Sequence, residues 1–331
     1  MAILIAADFS PAEWADWWPA LQAALPGERL LRERPPGGSG LDPIEIALVA
    51  NPPVGALRDL PALRLVQSLW AGVERLLADA TLPANVPLAR MVDPAMNDAM
   101  AQTALWAVLG LHRGFIGRSV VADSGERAAG AAAASYAAQQ ARAQWCAHPQ
   151  RRADAVHVVV LGLGQMGRAS AQRLAASGYR VSGWSRSACV LAGVSTHAGS
   201  AALVPLLGTA QIVVNLLPLT AATRGLFNAA SFATLPRGAC LVNLARGAHV
   251  VEADLLDALA SGQIAHAVLD VFATEPLPPA HPFWHHPHVT VLPHIAAQTD
   301  PRSAAAVAGA NIRSLREGQP LRHLVDRQRG Y

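Results

Sequence analysis

Val158-Val159-Val160-Leu161-Gly162-Leu163-Gly164-Gln165-Met166-Gly167 is the stretch on which the reading of this chain turns. Four apolar residues in a row predict a buried strand. A G-x-G-x-x-G interrupts it, and helical spacing then runs from Gln165 to Ser177, where Gly178 closes it. Gly162 permits the tight turn, Gly164 lets backbone approach a pyrophosphate, and Gly167 lets helix and strand pack closely. The helix opened by Gln165 and Met166 turns its N–H groups and positive dipole end toward the phosphates. A glycine turn that binds nothing is the alternative, but strand, turn and helix in this order favour a dinucleotide.

The next strand end selects the cofactor. An acidic residue about 20 positions on would accept from ribose hydroxyls. Here the chain reads Gly183-Trp184-Ser185-Arg186-Ser187, with no carboxylate. Arg186 can pair with a 2′-phosphate, and Ser185 and Ser187 can donate to it, so NADP(H) is favoured over NAD(H). An ordinary surface arginine is the plainer reading of Arg186.

Outward from this loop, Val156–Leu161, Arg180–Trp184, Gln211–Leu216, Ala239–Asn243, Ile264–Leu269 and His288–Leu292 predict six strands with helices between them. Upstream, Ile3–Ile5, Ile46–Val49, Leu65–Ser68 and Leu88–Val92 predict a second parallel sheet. Trp14, Trp17, Trp18, Leu21 and Leu25 recur at helical spacing after the start signal Ser10-Pro11, which predicts core packing for the tryptophans. A long helix is expected over Pro94–Phe115. The Ala/Gly-rich stretch from Ile116 to Ala134 carries no recognisable chemistry, and Ser303–Glu317 reads as a last helix.

Composition narrows the function. The 331 residues are 52% apolar and 15% charged, enough for two buried cores and too apolar for disorder. Lys plus Arg is 26 and Asp plus Glu is 23, yet no lysine occurs. Schiff-base chemistry, P-loop phosphate binding and lysine acid/base dehydrogenases are therefore excluded. Basic runs with interleaved aromatics are missing, so nucleic acid is not an expected partner. No apolar run is long enough to span a membrane. Met1–Asp8 reads as a strand and not as a signal peptide. Cys146, Cys189 and Cys240 are scattered, which fits a reducing cytoplasm and no disulfide framework. Cys240, inside an apolar strand, reads as a small buried hydrophobe.

Three further strand ends offer reactive groups. Arg246 follows Leu241–Leu244, Asp270 and Glu275 follow Ile264–Leu269, and His294 follows Val291-Leu292-Pro293. Open α/β sheets bind ligands at such ends. An arginine that grips a carboxylate and polarises a ketone, with a histidine proton donor oriented by Glu275, suits reduction of a 2-keto acid. Unrelated polar groups at strand ends are the competing reading. Five of twelve histidines fall between His281 and His294, but the run is broken by prolines and has no accompanying Asp, Glu or Cys, so it reads as a solvated loop plus one reactive histidine, and no metal is expected.

With Gly162–Gly167, Trp184-Ser185-Arg186, Asn215-Leu216-Leu217-Pro218, Asn243–Gly247, Val250-Val251-Glu252, Leu269–Phe272, Glu275–Pro278, Pro293-His294 and Asp326–Tyr331 in this order, the chain resembles the D-isomer-specific 2-hydroxyacid dehydrogenases along essentially its whole length. The resemblance implies a Rossmann-type doubly wound parallel sheet domain inserted into a smaller flavodoxin-like α/β substrate domain. Residues 1–98 and 295–331 would form the substrate domain and 99–294 the NAD(P)-binding domain. It implies Arg246, Glu275 and His294 as catalytic residues and Asp270 on the nicotinamide carboxamide, with Leu217, Pro218 and Leu244 among the cofactor contacts. It also implies that Ala71, Gly72 and Val73 offer N–H groups to a substrate carboxylate, that glyoxylate and hydroxypyruvate are the leading substrates, and that the protein is a homodimer.

Three departures stand out. Trp70 occupies a position expected to be small, Gln102-Thr103 replaces Glu-Tyr, and an insertion lies between Phe115 and Tyr136. Two rivals fare worse. The β-hydroxyacid dehydrogenases place a similar loop at the N-terminus and need a lysine, and formate dehydrogenases pair the histidine with Gln. A regulator that senses nicotinamide nucleotide on this fold, or a reductase of bulkier keto acids, are the alternative functions.

Overall fold

A computed structural model describes residues 1–34, 43–116, 136–143, 145 and 151–330. The Ala/Gly-rich stretch and Cys146 lie outside these residues, apart from Ile116. The chain divides into two compact units, Met1–Met96 with Thr299–Tyr331, and Asn97–Gln298.

The first unit holds β1 (Ala2–Ala7), β2 (Arg29–Leu31), β3 (Ile44–Ala50), β4 (Leu65–Ser68) and β5 (Leu88–Ala89). They pair in parallel in the order β2-β1-β3-β4-β5, the flavodoxin-like order. One face buries Leu4, Ala47, Val49, Val66 and Leu88 in a cluster with Leu57, Val73 and Val86. The first helix, Pro11–Ala24, is started by a reciprocal Ser10–Glu13 capping box with Pro11 at its first turn. The closing helix, Pro301–Arg316, is capped by Asp300 and packs against it. A Cβ at Gly309 would stand 2.9 Å from the Ala24 carbonyl oxygen, which is how closely the two helices approach.

Two expectations need correction here. The short edge strand β2 lacks the apolar run that marks its neighbours and was not predicted. Of the three tryptophans only Trp17 is buried; Trp14 and Trp18 are half-exposed, with the Arg32 guanidinium 4.9 and 4.3 Å above their rings.

The second unit holds β6 (His157–Leu161), β7 (Arg180–Ser185), β8 (Ser195–Ala198), β9 (Ile212–Asn215), β10 (Ala239–Asn243), β11 (Ile264–Leu269) and β12 (Val289–Val291). Their order is β12-β11-β10-β9-β6-β7-β8, again all parallel. The sheet therefore has seven strands, not six. Edge strand β8, Ser-Thr-His-Ala, is half-exposed and carries no apolar alternation. Period-2 geometry divides each central strand between two cores. Val158, Val160, Ile212, Val214, Cys240, Val242 and Val268 face one cluster, while Val159, Leu161, Val213, Leu241, Ala267 and Leu269 face the other. Burial on both faces is what a parallel sheet with crossover helices requires. Strand order reverses between β6 and β9, so the carboxyl ends of those strands border a ligand crevice. Among the described residues, no helix is long and apolar enough to cross a membrane.

Candidate active site

At the switch point the glycines behave as backbone chemistry demands. Gly162 lies at φ +96°, and a Cβ there would meet the Leu216 carbonyl oxygen at 2.6 Å. A Cβ at Gly167 would stand 1.7 Å from the Gly162 oxygen, so no larger residue fits there without moving the helix off the strand. A Cβ at Gly164 would meet nothing within 4 Å. Gly164 caps helix Gln165–Ala176, and the open space over it fits a pyrophosphate resting on backbone at the helix N-terminus.

At the end of β7, Ser185 Oγ donates to the Ser187 carbonyl at 2.7 Å. Ser185 therefore shapes the turn, and the exposed Arg186 and Ser187 are the groups that face solvent. No carboxylate occurs from Ser185 to Ser187 to repel a 2′-phosphate. Leu217 and Leu244 are buried where β9 and β10 end, with Pro218 half-buried beside them.

The ends of β10, β11 and β12 bring the reactive groups together. His294 Nδ1 donates to Glu275 Oε2 at 2.7 Å, and the other carboxylate oxygen of Glu275 accepts from the Phe272 N–H at 2.9 Å. The Glu275 bond is the main force holding His294 above the ordinary histidine value; burial opposes it, the carboxylates of Glu275 and Asp270 add to it, and the Arg246 charge works against it. Burial pushes Glu275 up, but the bonds from His294 and Phe272 and the His294 and Arg246 charges outweigh that, leaving it below its usual range. Both directions describe one ion pair with Arg246 as a neighbouring charge.

Asp270 anchors the turn that carries the histidine. Its carbonyl accepts from His294 N at 2.9 Å, and its carboxylate oxygens accept from Ile295 N at 2.7 Å and Ala296 N at 3.0 Å. Burial raises its pKa despite these bonds. The anchorage matters because His294 sits in the left-handed region at φ +55°, which costs a non-glycine residue about 1–3 kcal/mol. Arg246 is half-buried and donates to the Ala245 carbonyl at 2.6 Å. A Cβ at Gly247 would lie 1.9 Å from the Phe272 carbonyl carbon, so glycine lets the Arg246 turn stack on the segment leading to Glu275.

Three buried residues absent from the sequence-derived site support these turns. Asn215, Asn243 and His249 are fully buried at the ends of β9 and β10. Asn215 and Asn243 stand in the quoted motifs, but the bond that joins them links residues 28 apart in sequence. His249 carried no signal at all.

In the first unit, Trp70, Ala71, Gly72 and Val73 form the turn after β4, with Val73 capping the short helix Glu74–Leu77. Ser68 Oγ pins this turn through Trp70 N and O, at 3.1 and 2.9 Å. The Trp70 ring meets Phe9 and Trp17 edge-on, with centroids 6.1 and 5.6 Å away. Thr103, at one departure, donates to the Ala296 carbonyl at 2.8 Å within the second unit. Among the described residues no group of three or more His, Cys, Asp or Glu could hold a metal ion.

A seven-stranded parallel sheet with a glycine cradle at its switch point, and a paired histidine beside an arginine at neighbouring strand ends, defines an NAD(P)-dependent oxidoreductase. Comparison with known proteins makes this more specific. The family model described as D-isomer specific 2-hydroxyacid dehydrogenase, NAD binding domain, matches residues 128–296. The glyoxylate/hydroxypyruvate reductase A of Serratia proteamaculans is 40% identical over 321 residues, covering 96% of each chain. A D-isomer specific 2-hydroxyacid dehydrogenase from Xanthobacter autotrophicus, solved with NADPH and MES, superposes with a TM-score of 0.87 at 41% identity, covering 100% of this chain and 99% of that one. The NADPH-dependent glyoxylate/hydroxypyruvate reductase of Sinorhizobium meliloti, solved with NADP and sulfate, gives a TM-score of 0.87 at 35% identity over 100% and 99%. The chain belongs to the D-isomer-specific 2-hydroxyacid dehydrogenases.

Proposed function

We propose that this protein reduces small 2-keto acids, glyoxylate and hydroxypyruvate, to D-2-hydroxy acids with NADPH. The observation that carries the reading is the 2.7 Å His294–Glu275 pair beside the Arg246 charge. Nδ1–H is committed to the carboxylate, which leaves Nε2 to give a proton. Arg246 holds the substrate carboxylate and draws electron density from the ketone. The reduced nicotinamide, when bound, supplies the hydride. As the carbonyl carbon gains it, His294 passes its proton to the oxygen and becomes neutral, and Glu275 keeps the ring in the orientation that allows this. Asp270 fixes the histidine turn and is assigned to the nicotinamide carboxamide. Gly162, Gly164, Gln165, Met166 and Gly167 carry the pyrophosphate, and Arg186 with Ser187 carries the 2′-phosphate.

A second reading, in which the keto acid is bulkier, turns on Trp70, whose ring packs on Phe9 and Trp17. The protein is further proposed to be a homodimer of the cytoplasm, its exposed Trp106 and Leu109 offering apolar surface to a second copy. Steady-state cofactor oxidation with glyoxylate, hydroxypyruvate, pyruvate and phenylpyruvate, each with NADPH and with NADH, tests the reading. NADPH-linked turnover of the first two at the highest kcat/KM supports it. Preference for phenylpyruvate moves the protein to the second reading. Tight NADPH binding with no turnover overturns both.

A further inference from the structure

His249 lies in the 3-10 turn Gly247–His249 that follows Arg246, and it is fully buried. Its ring spans two strand ends. Asn215 Nδ2 bonds to His249 Nδ1 at 2.9 Å and also to Asn243 Oδ1 at 2.9 Å. An amide nitrogen can only donate, so it supplies one hydrogen to each, and His249 Nδ1 must accept. The ring is therefore the neutral Nε2–H tautomer, and Nε2 faces the Pro218 carbonyl at 3.3 Å. The same three residues grip the backbone. Asn243 Nδ2 donates to the Arg246 carbonyl at 3.0 Å, His249 N donates to that same oxygen at 3.2 Å, and Asn215 Oδ1 accepts from Leu217 N at 3.3 Å.

We infer that His249 is a positioning residue that locks the Leu217–Pro218 cofactor loop to the Arg246 turn through Asn215 and Asn243. One hydrogen-bonded unit then fixes where the cofactor rests and where the guanidinium that grips the substrate begins. A buried network in which every member is satisfied holds one geometry, while removing one member leaves the others desolvated and unpaired. Small displacements of reacting groups are costly in rate, so the network acts on turnover as well as on stability.

The inference rests on the reductase reading, and its test separates the two, because failure of that reading shows in the wild-type protein and failure of this inference only in variants. His249→Leu removes both ring bonds. His249→Gln retains an acceptor for Asn215 and a donor for Pro218, and His249→Asn is too short to reach both. For each, NADPH affinity and binding stoichiometry are read by fluorescence titration, and kcat and KM for hydroxypyruvate are expressed per binding site. The expected result for His249→Leu is a kcat on the order of tenfold lower, a raised KM and a several-fold weaker NADPH Kd, with His249→Gln restored to within about threefold of wild type. A purely structural residue would lower the thermal midpoint and the binding stoichiometry yet leave per-site kcat and KM unchanged, and that result overturns the inference. Should His249→Leu not fold, the Gln and Asn variants decide: a Gln variant that keeps the rate while Asn loses it supports the network, and equal rates in both refute it.

Discussion

The two parallel sheets end in different chemistry. Past the strands of the second unit stand a glycine cradle, an arginine, and a histidine–glutamate pair, underlain by the buried polar groups Asn215, Asn243, His249 and Asp270. Past β1 and β4 of the first unit stand aromatic rings, Phe9 and Trp70, packed on the buried Trp17. Buried hydrogen bonds fix direction, whereas ring packing chiefly fixes volume. The proposed function accordingly divides the labour: directional bonds in the second unit hold the reacting groups in one geometry, and ring packing in the first unit sets volume.

Substitutions at the second sheet should therefore change rate, and those at the first should change substrate. Arg246→Gln is expected to lower kcat/KM for hydroxypyruvate about 100- to 1000-fold while NADPH affinity measured by fluorescence stays near wild type; weakened cofactor binding of similar size would break the division. Arg186→Asp should reduce the NADPH-to-NADH ratio of kcat/KM roughly 30-fold by placing a carboxylate against the 2′-phosphate. An unmoved ratio would remove Arg186 from the cofactor site.

Glu275→Gln sharpens the account through pH. His294 is held above the ordinary histidine value, so its protonated form, the reductive donor, persists to higher pH than in an ordinary histidine and is lost as pH rises through that raised value. Without the Glu275 charge the alkaline limb of keto-acid reduction should move to lower pH, with a loss of about tenfold in rate at slightly alkaline pH. The reverse oxidation, which needs neutral His294, should suffer less. The pair's contribution to folding stability follows the same signs: the histidine part fades as pH rises through its raised value, and the carboxylate part fades on acidification through its lowered one. Trp70→Gly tests the other sheet and carries the smallest effect, about a fivefold rise in the phenylpyruvate-to-glyoxylate ratio of kcat/KM as the site widens. A fall in that ratio would make Trp70 a wall that bulkier substrates use.

What the sequence discloses follows from how local each requirement is. Gly162 and Gly167 are legible because only glycine satisfies the backbone crowding there. Arg246, Glu275 and His294 are legible because each follows a strand whose apolar run is plain. The edge strands Arg29–Leu31 and Ser195–Ala198 are hidden, since edge position frees them from alternation and only pairing with a distant neighbour makes them strands. His249 is hidden because its partners, Asn215 and Pro218, lie 34 and 31 residues away in sequence. Trp14 and Trp18 mislead because helical spacing cannot tell a buried ring from one shelved beneath an arginine. Asp270 is placed by resemblance on the cofactor, while its bonds to three consecutive N–H groups, the support of the histidine turn, emerge only in the folded chain.

The most direct test of the central claim is His294→Asn, compared with wild type for NADPH-linked reduction of hydroxypyruvate, with NADPH affinity measured on the same samples. The account predicts a kcat lower by about 100-fold or more with cofactor affinity unchanged. A variant that binds NADPH equally well and turns over at the wild-type rate would show that His294 is not the proton donor, and the mechanism built on its pairing with Glu275 would fall.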